Sequence, residues 1–156
     1  MQLPNLQWSY KDFEDYVLSH EAYMWDRTFY IDIDGKDVKI ISDTYEEYFA
    51  KVQIKLAEQF DSIKVEGIER IAGWTEGTIH AFRYWENSPS FGTHTDPVDV
   101  IIEVQQGYKT IEVNGKIHNL DELHKVIDIP ANTPHRALND KEGLMFSYGL
   151  SDTEQY

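Results

Sequence analysis

The sequence predicts a mainly β fold whose helices are confined to the N-terminal third. From residue 62 onward, short apolar and β-branched runs alternate with turn signals such as Asn114-Gly115. Before that point, two stretches space their apolar residues at the period of a helix. With 156 residues and no cysteine, the chain is long enough to bury the core of one domain without disulfides.

The chain is predicted to begin with a short helix followed by a β-hairpin. Residues 9 to 20 place apolar side chains on one side of a helix that Ser9 can cap. Residues 28 to 41 alternate apolar and polar side chains on either side of Asp34-Gly35, a dipeptide typical of hairpin turns.

A second helix is predicted from residue 45 to about residue 60. Thr44 and Glu47 have the spacing of a capping box at its start. Its apolar stripe is predicted to contain Tyr45, Phe49, Val52, Leu56 and Phe60.

The remaining chain is predicted to form strand after strand. The predicted strands are residues 62 to 74, 77 to 85, 93 to 104, 108 to 113, 125 to 130, 135 to 139 and 144 to 150. Many short strands with regular turns favour a double-stranded β-helix, a cupin-like jelly-roll, with the N-terminal helices packed on one face. We therefore expect a single domain over 1–156, with helices and hairpin in 1–61 and the jelly-roll core in 62–152. An α+β sandwich of another topology is the alternative.

The net charge and the hydropathy of the sequence argue against nucleic acids and membranes as binding partners. The formal net charge is −14, from 14 basic and 28 acidic residues, and such a surface repels nucleic-acid backbones. No apolar run approaches the roughly 18 residues of a membrane span, and the first residues do not resemble a signal peptide. We expect a cytoplasmic protein with no nucleic-acid or membrane partner, and a homodimer is compatible with the sequence.

Polar side chains fall on the apolar face of the strand predicted over residues 93 to 104. Alternate side chains of a strand point to opposite faces of a sheet. One face of this strand holds His94, Asp96, Val98, Val100, Ile102 and Val104. Lys109 similarly shares a face with Ile111 and Val113. Polar groups on an inward face need a partner or a ligand.

His94 and Asp96 project side by side and can bind one divalent ion. Two imidazoles and one carboxylate leave open positions on the metal, as in non-haem Fe(II) oxygenases. His135 is the candidate for the second imidazole, because residues 130 to 134 form a turn that delivers it to the start of a strand. In that turn Asn132 is expected to adopt a left-handed backbone. The alternative is a buried histidine that is hydrogen-bonded to an aspartate.

Lys109 is the second unusual inward residue. A lysine ammonium in an apolar barrel costs several kcal/mol unless an anion meets it. The carboxylate of a small ligand would supply that anion. The alternative is that Lys109 extends to the barrel mouth or pairs with an internal acid.

These residues together resemble the motifs of JmjC-type hydroxylases, and most closely those of the asparaginyl hydroxylase of hypoxia-inducible factor. The matching elements are His94-Thr95-Asp96, then Gly107-Tyr108-Lys109, then Ile129-Pro130 with His135 as the last ligand. Residues 130 to 139 also resemble the second cupin motif, with Asn132 in place of glycine. The resemblance covers about residues 80 to 150. It departs from the family in the short separation of Asp96 and His135 and in Phe91, which replaces a co-substrate-binding threonine.

The resemblance implies an Fe(II)- and 2-oxoglutarate-dependent dioxygenase, a hydroxylase that uses O2. His94, Asp96 and His135 would hold the iron, and Lys109 would bind the distal carboxylate of 2-oxoglutarate. Tyr84 and Ser147 are candidates for a second hydroxyl on that carboxylate.

Arg83 is a weaker candidate, for binding a substrate anion at the barrel mouth; a solvated arginine beside core aromatics is the competing interpretation. The substrate is expected to be a small molecule or a peptide. Two other functions remain open: a metal-binding cupin enzyme without 2-oxoglutarate, and a barrel that binds a small ligand without turnover.

Overall fold

Four helices and ten strands form the part of the chain that the structure, a computed structural model, describes: residues 2–25, 28–33, 36–90 and 92–151. The helices are α1 (Tyr10–Val17), α2 (His20–Trp25), α3 (Tyr45–Glu58) and α4 (Ile68–Ala72). The strands are β1 (Thr28–Ile33), β2 (Lys36–Ile41), β3 (Ser62–Val65), β4 (Gly77–Tyr84), β5 (Val100–Gly107), β6 (Lys109–Val113), β7 (Lys116–Leu120), β8 (Val126–Ile129), β9 (His135–Leu138) and β10 (Gly143–Leu150).

The strands form two antiparallel sheets that enclose an interior. The larger sheet has the order β2-β1-β3-β4-β10-β5-β8, and the smaller has the order β7-β6-β9. Buried side chains from both sheets meet between them, among them Tyr84 and Val104 from the large sheet and Ile111 and Leu120 from the small one. The architecture is the mainly β jelly-roll that the strand pattern predicts.

The N-terminal helices cover the outer face of the large sheet. Because side chains alternate along a strand, β4 and β10 each present one set to the helices and the other to the interior. The helix-facing set on these strands and just after them is Ile79, Ala81, Trp85, Leu144, Phe146 and Tyr148. It packs against apolar residues of the N-terminal segment and helices, such as Phe13, Val17 and Val52. The predicted covering of one face is therefore confirmed.

Local signals at the predicted helices are largely confirmed. Ser9 and Asp12 form a capping box at the start of α1, and Thr44 Oγ1 accepts from the Glu47 amide at 3.2 Å at the start of α3. The prediction that Phe60 belongs to the apolar stripe is wrong, because α3 ends at Glu58 and Phe60 is 68% exposed. Tyr48 is buried in the stripe in its place. Residues 20–25, for which we predicted no separate element, form α2.

The predicted hairpin over residues 28 to 41 is confirmed by the pairing of β1 with β2, from Thr28↔Ile41 to Ile33↔Lys36. Its turn, Asp34-Gly35, lies outside the described residues. The turn at Asn114-Gly115 is also confirmed, since both residues have a positive φ and β6 pairs with β7 across it. Strand β7 (Lys116–Leu120) lies between two predicted strands, in a stretch for which we predicted none.

Residues 62 to 74 are not one strand. Strand β3 ends at Val65, and residues 68–72 form the short helix α4. Gly67 and Gly73 flank this helix with φ values of +83° and +66°, a backbone that an extended strand cannot contain. Burial of Ile68 in the helix-facing core stabilises the helix.

The stretch from residue 93 to 104 is a strand only from Val100 onward. Its other face, Glu103 and Gln105, is buried rather than solvated. Glu103 Oε1 accepts from the Tyr148 hydroxyl at 2.7 Å, and Gln105 Oε1 accepts from the Trp8 amide at 2.9 Å. Burial and the bond to Glu103 raise the pKa of Tyr148 above its ordinary value.

No helix in the described part of the chain has the length and apolar character needed to cross a membrane.

Candidate metal centre and pocket

The structure brings His94, Asp96 and His135 together. One ligand atom from each residue lies within 4.8 Å of the others. His135 Nε2 is 3.0 Å from Asp96 Oδ2, and His94 Nε2 is 4.0 Å from the same oxygen. The two imidazole ring centroids are 4.4 Å apart. These three donor atoms come from two segments of the chain, and they have the composition of a two-histidine, one-carboxylate metal site.

Backbone hydrogen bonds hold the three residues in place. His94 and His135 exchange both amide-to-carbonyl bonds, each at 2.9 Å, as an isolated antiparallel bridge. The Asp96 carbonyl accepts from the Asn132 amide at 2.7 Å. These bonds join the irregular segment before β5 to the first residue of β9 and to the turn that precedes it.

The ring orientation of both histidines leaves Nε2 on the side of Asp96. His94 Nδ1 is 2.9 Å from the Gly92 carbonyl, and His135 Nδ1 is 2.8 Å from the Thr133 carbonyl. A carbonyl can only accept, so each Nδ1 donates a proton to its carbonyl, and Nε2 is the ring nitrogen that faces Asp96. A backbone acceptor on the second ring nitrogen is the usual arrangement of metal-bound histidines. The donor set therefore fits a divalent transition metal.

Asn132 has a φ of +62°, as its place in the turn predicts. Its side chain is exposed, so the backbone conformation is the main demand on this residue. We expect Asn132→Ala to destabilise the protein by about 1 kcal/mol, because a Cβ-bearing residue without a polar group is strained there. Asn132→Gly should match the natural protein, because glycine adopts this backbone freely. Urea denaturation of both variants measures the difference, and equal loss in both would assign the effect to the side chain.

The three residues line a cavity of about 360 Å³ between the two sheets. This volume lies at the lower end of the roughly 300–1,000 Å³ typical of small-molecule sites. The lining comprises Ser62, Lys64, Thr78, His80, Phe82, Tyr84, Ser90, His94, Asp96, Pro97, Val98, Val100, Ile102, Lys109, Ile111, His135, Ala137, Asn139, Met145, Ser147 and Gly149.

Lys109 lies in the same cavity and does not extend to solvent. It is 3% exposed, and its Nζ donates to Asn139 Oδ1 at 2.9 Å. The ammonium also lies 4.2 Å from the centroid of the Tyr84 ring, within range of a cation–π interaction. The interpretation that this lysine reaches the barrel mouth is therefore wrong.

Lys109 and the histidine pair lie at opposite ends of the cavity. His135 begins β9, and Asn139, the partner of Lys109, follows its end. Four residues of extended chain span about 13 Å. The cavity thus has a triad end and a lysine end.

Asn139 connects the lysine to the segment that precedes His94. Its Nδ2 donates to the Pro89 carbonyl at 3.0 Å, and its backbone carbonyl accepts from the Asn87 amide at 2.7 Å. The bond between Asn139 and Lys109 joins residues that are 30 positions apart in the chain.

Tyr84 lies at the lysine end, but it contacts Lys109 through its ring. Its hydroxyl donates to the Tyr108 carbonyl at 2.6 Å. Burial raises the pKa of Tyr84 well above its ordinary value, so the hydroxyl keeps its proton.

Ser147 lines the cavity away from the lysine end. In the register of β4 and β10, Tyr84 pairs with Gly143, whereas Ser147 pairs with His80. Ser147 is four positions beyond Gly143, which corresponds to about 13 Å of strand. The geometry therefore favours Tyr84 over Ser147 as a neighbour of the lysine.

Arg83 does not lie in the cavity, which corrects its assignment to substrate binding. It projects from β4 toward the N-terminal segment, where its guanidinium lies 3.9 Å from the Tyr10 ring and 4.4 Å from the Trp85 ring. It also pairs with Glu142 and is only 4% exposed. Arg83 therefore lies beside core aromatic residues, as the competing interpretation predicts, but it is buried rather than solvated.

His80 is a cavity residue that the sequence did not single out. It projects from β4 into the cavity, two residues before Phe82. Burial lowers its pKa below the ordinary value, and nearby Lys64 lowers it further, against the acidic neighbours Glu66, Glu69 and Asp37. The alternation of β4 could have indicated this position, since His80 and Tyr84 have the same parity. The position corresponding to a co-substrate threonine, Phe91, lies outside the described residues.

Comparison with known proteins identifies solved structures whose fold is similar to that of this chain. No family model and no curated protein matches the chain. The structure is similar to YcfD, a ribosomal oxygenase from Escherichia coli, with a TM-score of 0.63 and 14% identity over 95% of this chain and 45% of that one. The same protein in complex with cobalt and succinic acid gives a TM-score of 0.63 and 14% identity over 94% and 45% of the two chains.

A cupin 2 conserved barrel domain protein from Leptotrichia buccalis has a TM-score of 0.49 and 18% identity over 58% of this chain and 41% of that one. This chain spans less than half the length of the oxygenase. At such identities the likeness shows the fold alone. The likeness to the oxygenase, together with the two antiparallel sheets, confirms the jelly-roll fold class.

Proposed function

We propose that this protein is an Fe(II)- and 2-oxoglutarate-dependent dioxygenase, a hydroxylase. The observation that carries the proposal is a single cavity lined at one end by His94, Asp96 and His135 and at the other by the buried Lys109. A dicarboxylic co-substrate would bind the metal at the first end of the cavity and would place its distal carboxylate beside Lys109 at the other.

His94, Asp96 and His135 would hold the iron. Two imidazoles and one carboxylate are the ligands of non-haem Fe(II) oxygenases, and they leave positions for a co-substrate and O2. When bound, the metal would supply the chemistry of O2 activation, coupled to decarboxylation of 2-oxoglutarate. The chain's own contribution begins with orientation, because the Gly92 and Thr133 carbonyls direct both Nε2 atoms to one point.

Lys109 would bind the distal carboxylate of the co-substrate. Its ammonium is removed from bulk water, where an ion pair is worth more than on an exposed surface. Asn139 and the Tyr84 ring hold the ammonium in place before the co-substrate arrives. Such pre-positioning lowers the entropy cost of binding.

The walls between the two ends would exclude water. Apolar side chains contributed by both sheets and by the segment before β5 line them: Val98, Val100, Ile102, Ile111 and Met145. A dry cavity strengthens the electrostatic interactions inside it and protects reactive species from side reactions.

Similarity of fold supports the same function. The structural neighbour from Escherichia coli is an oxygenase, and its complex holds a metal ion and a dicarboxylic acid. Cobalt commonly occupies sites that suit iron, since both are divalent first-row metals with overlapping ligand preferences.

The bond between Lys109 and Asn139 favours a second candidate, a metal-binding cupin that does not use 2-oxoglutarate. In that case the lysine is satisfied by its amide partner, and the cavity belongs to another enzyme or to a module that binds a small ligand. The two candidates differ in whether a 2-oxo dicarboxylate binds with the metal.

Thermal unfolding distinguishes these candidates. A ligand that binds only the folded protein raises the melting temperature by mass action. We expect Mn(II), a redox-quiet stand-in for iron, to raise it, and 2-oxoglutarate to raise it further only when Mn(II) is present. A rise with Mn(II) but none with added 2-oxoglutarate would select the second candidate, and no rise with either would contradict the metal site.

A further inference from the structure

Three polar side chains on one wall of the cavity have no hydrogen-bond partner within the described part of the chain. They are Thr78 and His80 on β4 and Ser147 on β10. His80 and Ser147 are directly paired in register, and Thr78 pairs with Gly149. Because paired strands lie about 5 Å apart, the three side chains form one continuous surface, which we call the β4–β10 patch.

The other hydroxyl groups of the cavity contrast with this patch. Ser62 Oγ donates to the Pro89 carbonyl at 3.1 Å, and Ser90 Oγ donates to the Ala137 carbonyl at 2.9 Å. Both of these serine hydroxyls therefore hydrogen-bond to the protein backbone and contribute to the fold itself. Polar groups that a fold leaves without a partner in a concave site are the ones available to a ligand.

The patch lies away from the lysine end of the cavity. Ser147 is separated from Gly143, which pairs with Tyr84, by about 13 Å of strand. Beside the patch, Gly149 pairs with both Thr78 and Val100, and a Cβ at Gly149 would meet Val98 Cγ2 at 4.0 Å. Val98 is two residues from Asp96. The patch thus belongs to the wall near the triad, where a substrate rather than the distal carboxylate would lie.

We propose that the β4–β10 patch binds an uncharged hydrogen-bonding group of the substrate, such as a carboxamide or an alcohol. An imidazole in its neutral form and two hydroxyls can each donate and accept, so they match a group that does both. None of them supplies the opposite charge that an ionised group needs when it leaves water. This inference rests on the proposed function, in which the substrate enters the triad end.

The environment of His80 supports this assignment. Burial lowers the pKa of its imidazole, so the ring is neutral near pH 7 and retains one acceptor nitrogen. The cavity of about 360 Å³ must also accommodate the co-substrate, so the substrate would insert one side chain or be a small molecule.

Histidine side-chain NMR tests the proposal with four probes of matched length: propionamide, 1-propanol, propionate and propylammonium. Each is titrated into protein labelled with ¹⁵N-histidine, both without additions and with Zn(II) and 2-oxoglutarate. We expect propionamide or 1-propanol to shift the His80 signals, and the two ions to leave them unchanged. His80→Leu should weaken binding of the neutral probe by on the order of tenfold, the value of one or two hydrogen bonds.

Control variants separate the patch from general effects on folding. His80→Gln keeps a neutral donor and acceptor and should retain binding, followed by the probe's own signals. Ser90→Ala, at a cavity serine whose hydroxyl already has a partner, should bind as the natural protein does. Equal response to the ions, unchanged binding in His80→Leu, or no His80 shift with any probe would overturn the proposal.

The titration without metal keeps this proposal separate from the proposed function. Failure of metal or 2-oxoglutarate to bind would leave the neutral probe still able to report on the patch. Free glutamine and a blocked glutamine-containing tripeptide then distinguish the two sources of the neutral group. Tighter binding of the tripeptide assigns the site to a peptide side chain, and tighter binding of the amino acid assigns it to a small molecule.

Discussion

Lys109→Met is expected to weaken binding of 2-oxoglutarate by on the order of 100-fold, because loss of one partner from a buried, hydrogen-bonded charge pair costs several kcal/mol. Methionine keeps an unbranched side chain of similar length against the Tyr84 ring, so the packing changes little. The affinity for Mn(II) should not change, because the lysine lies at the opposite end of the cavity from the triad. Isothermal titration of each ligand measures both affinities.

Lys141→Met is the matched control for this variant. Its ammonium also lies over a tyrosine ring, 4.9 Å from the centroid of Tyr108, but Lys141 is exposed. We expect natural affinity for both ligands in the control. Natural 2-oxoglutarate affinity in Lys109→Met would show that the ammonium serves the protein's own structure rather than the co-substrate, and would favour the metal-binding cupin without 2-oxoglutarate.

His135→Ala is expected to remove the rise in melting temperature caused by Mn(II). Loss of a group that merely orients a metal-bound side chain costs roughly 10–100-fold in metal affinity, and loss of a direct ligand should cost more. The additional rise from 2-oxoglutarate should disappear with it, since the co-substrate is expected to bind through the metal.

His124→Ala provides the comparison at the protein surface. His124 also pairs with a carboxylate, since its Nδ1 is 3.5 Å from Asp121 Oδ1, but the imidazole is largely exposed. This variant should keep the full response to Mn(II). Because His135 is 6% exposed, the variant without its ring is also expected to melt lower before any ligand is added. A Mn(II) response of natural size in His135→Ala would contradict the metal site.

Much of the fold follows from signals that act over a few residues. Ser9 and Thr44 start helices because their hydroxyls satisfy amides one turn ahead. The turn at Asn114-Gly115 brings β6 beside β7, because both residues tolerate a positive φ. Residues 62 to 74 were wrongly predicted as one strand because the same local pattern is compatible with two kinds of secondary structure. Apolar residues 68 to 72 fit a strand or a helix, and flanking glycines decided for the helix.

The candidate site was predictable where it depends on parity and turn geometry. Asp96, Val98 and Val100 share one face with His94 in the sequence, and all of them line the cavity. The left-handed turn at Asn132 followed from residue type. The sequence could therefore propose a metal triad, although it could not supply the distances among its atoms.

By itself, then, the sequence determined the mainly β class, the helix starts, the turns, the face that His94 and Asp96 share with cavity-lining valines, and the inward direction of Lys109. Tertiary structure alone decided that Lys109 bonds to Asn139, that Arg83 packs on Tyr10 and Trp85, and that His80 and Ser147 are neighbours on paired strands. Caps, turns and strand alternation depend on interactions between residues that are close together in the chain, so a short stretch of sequence is enough to predict them. Contacts between strands depend on register and on the packing of two sheets, which join residues that are far apart in the chain.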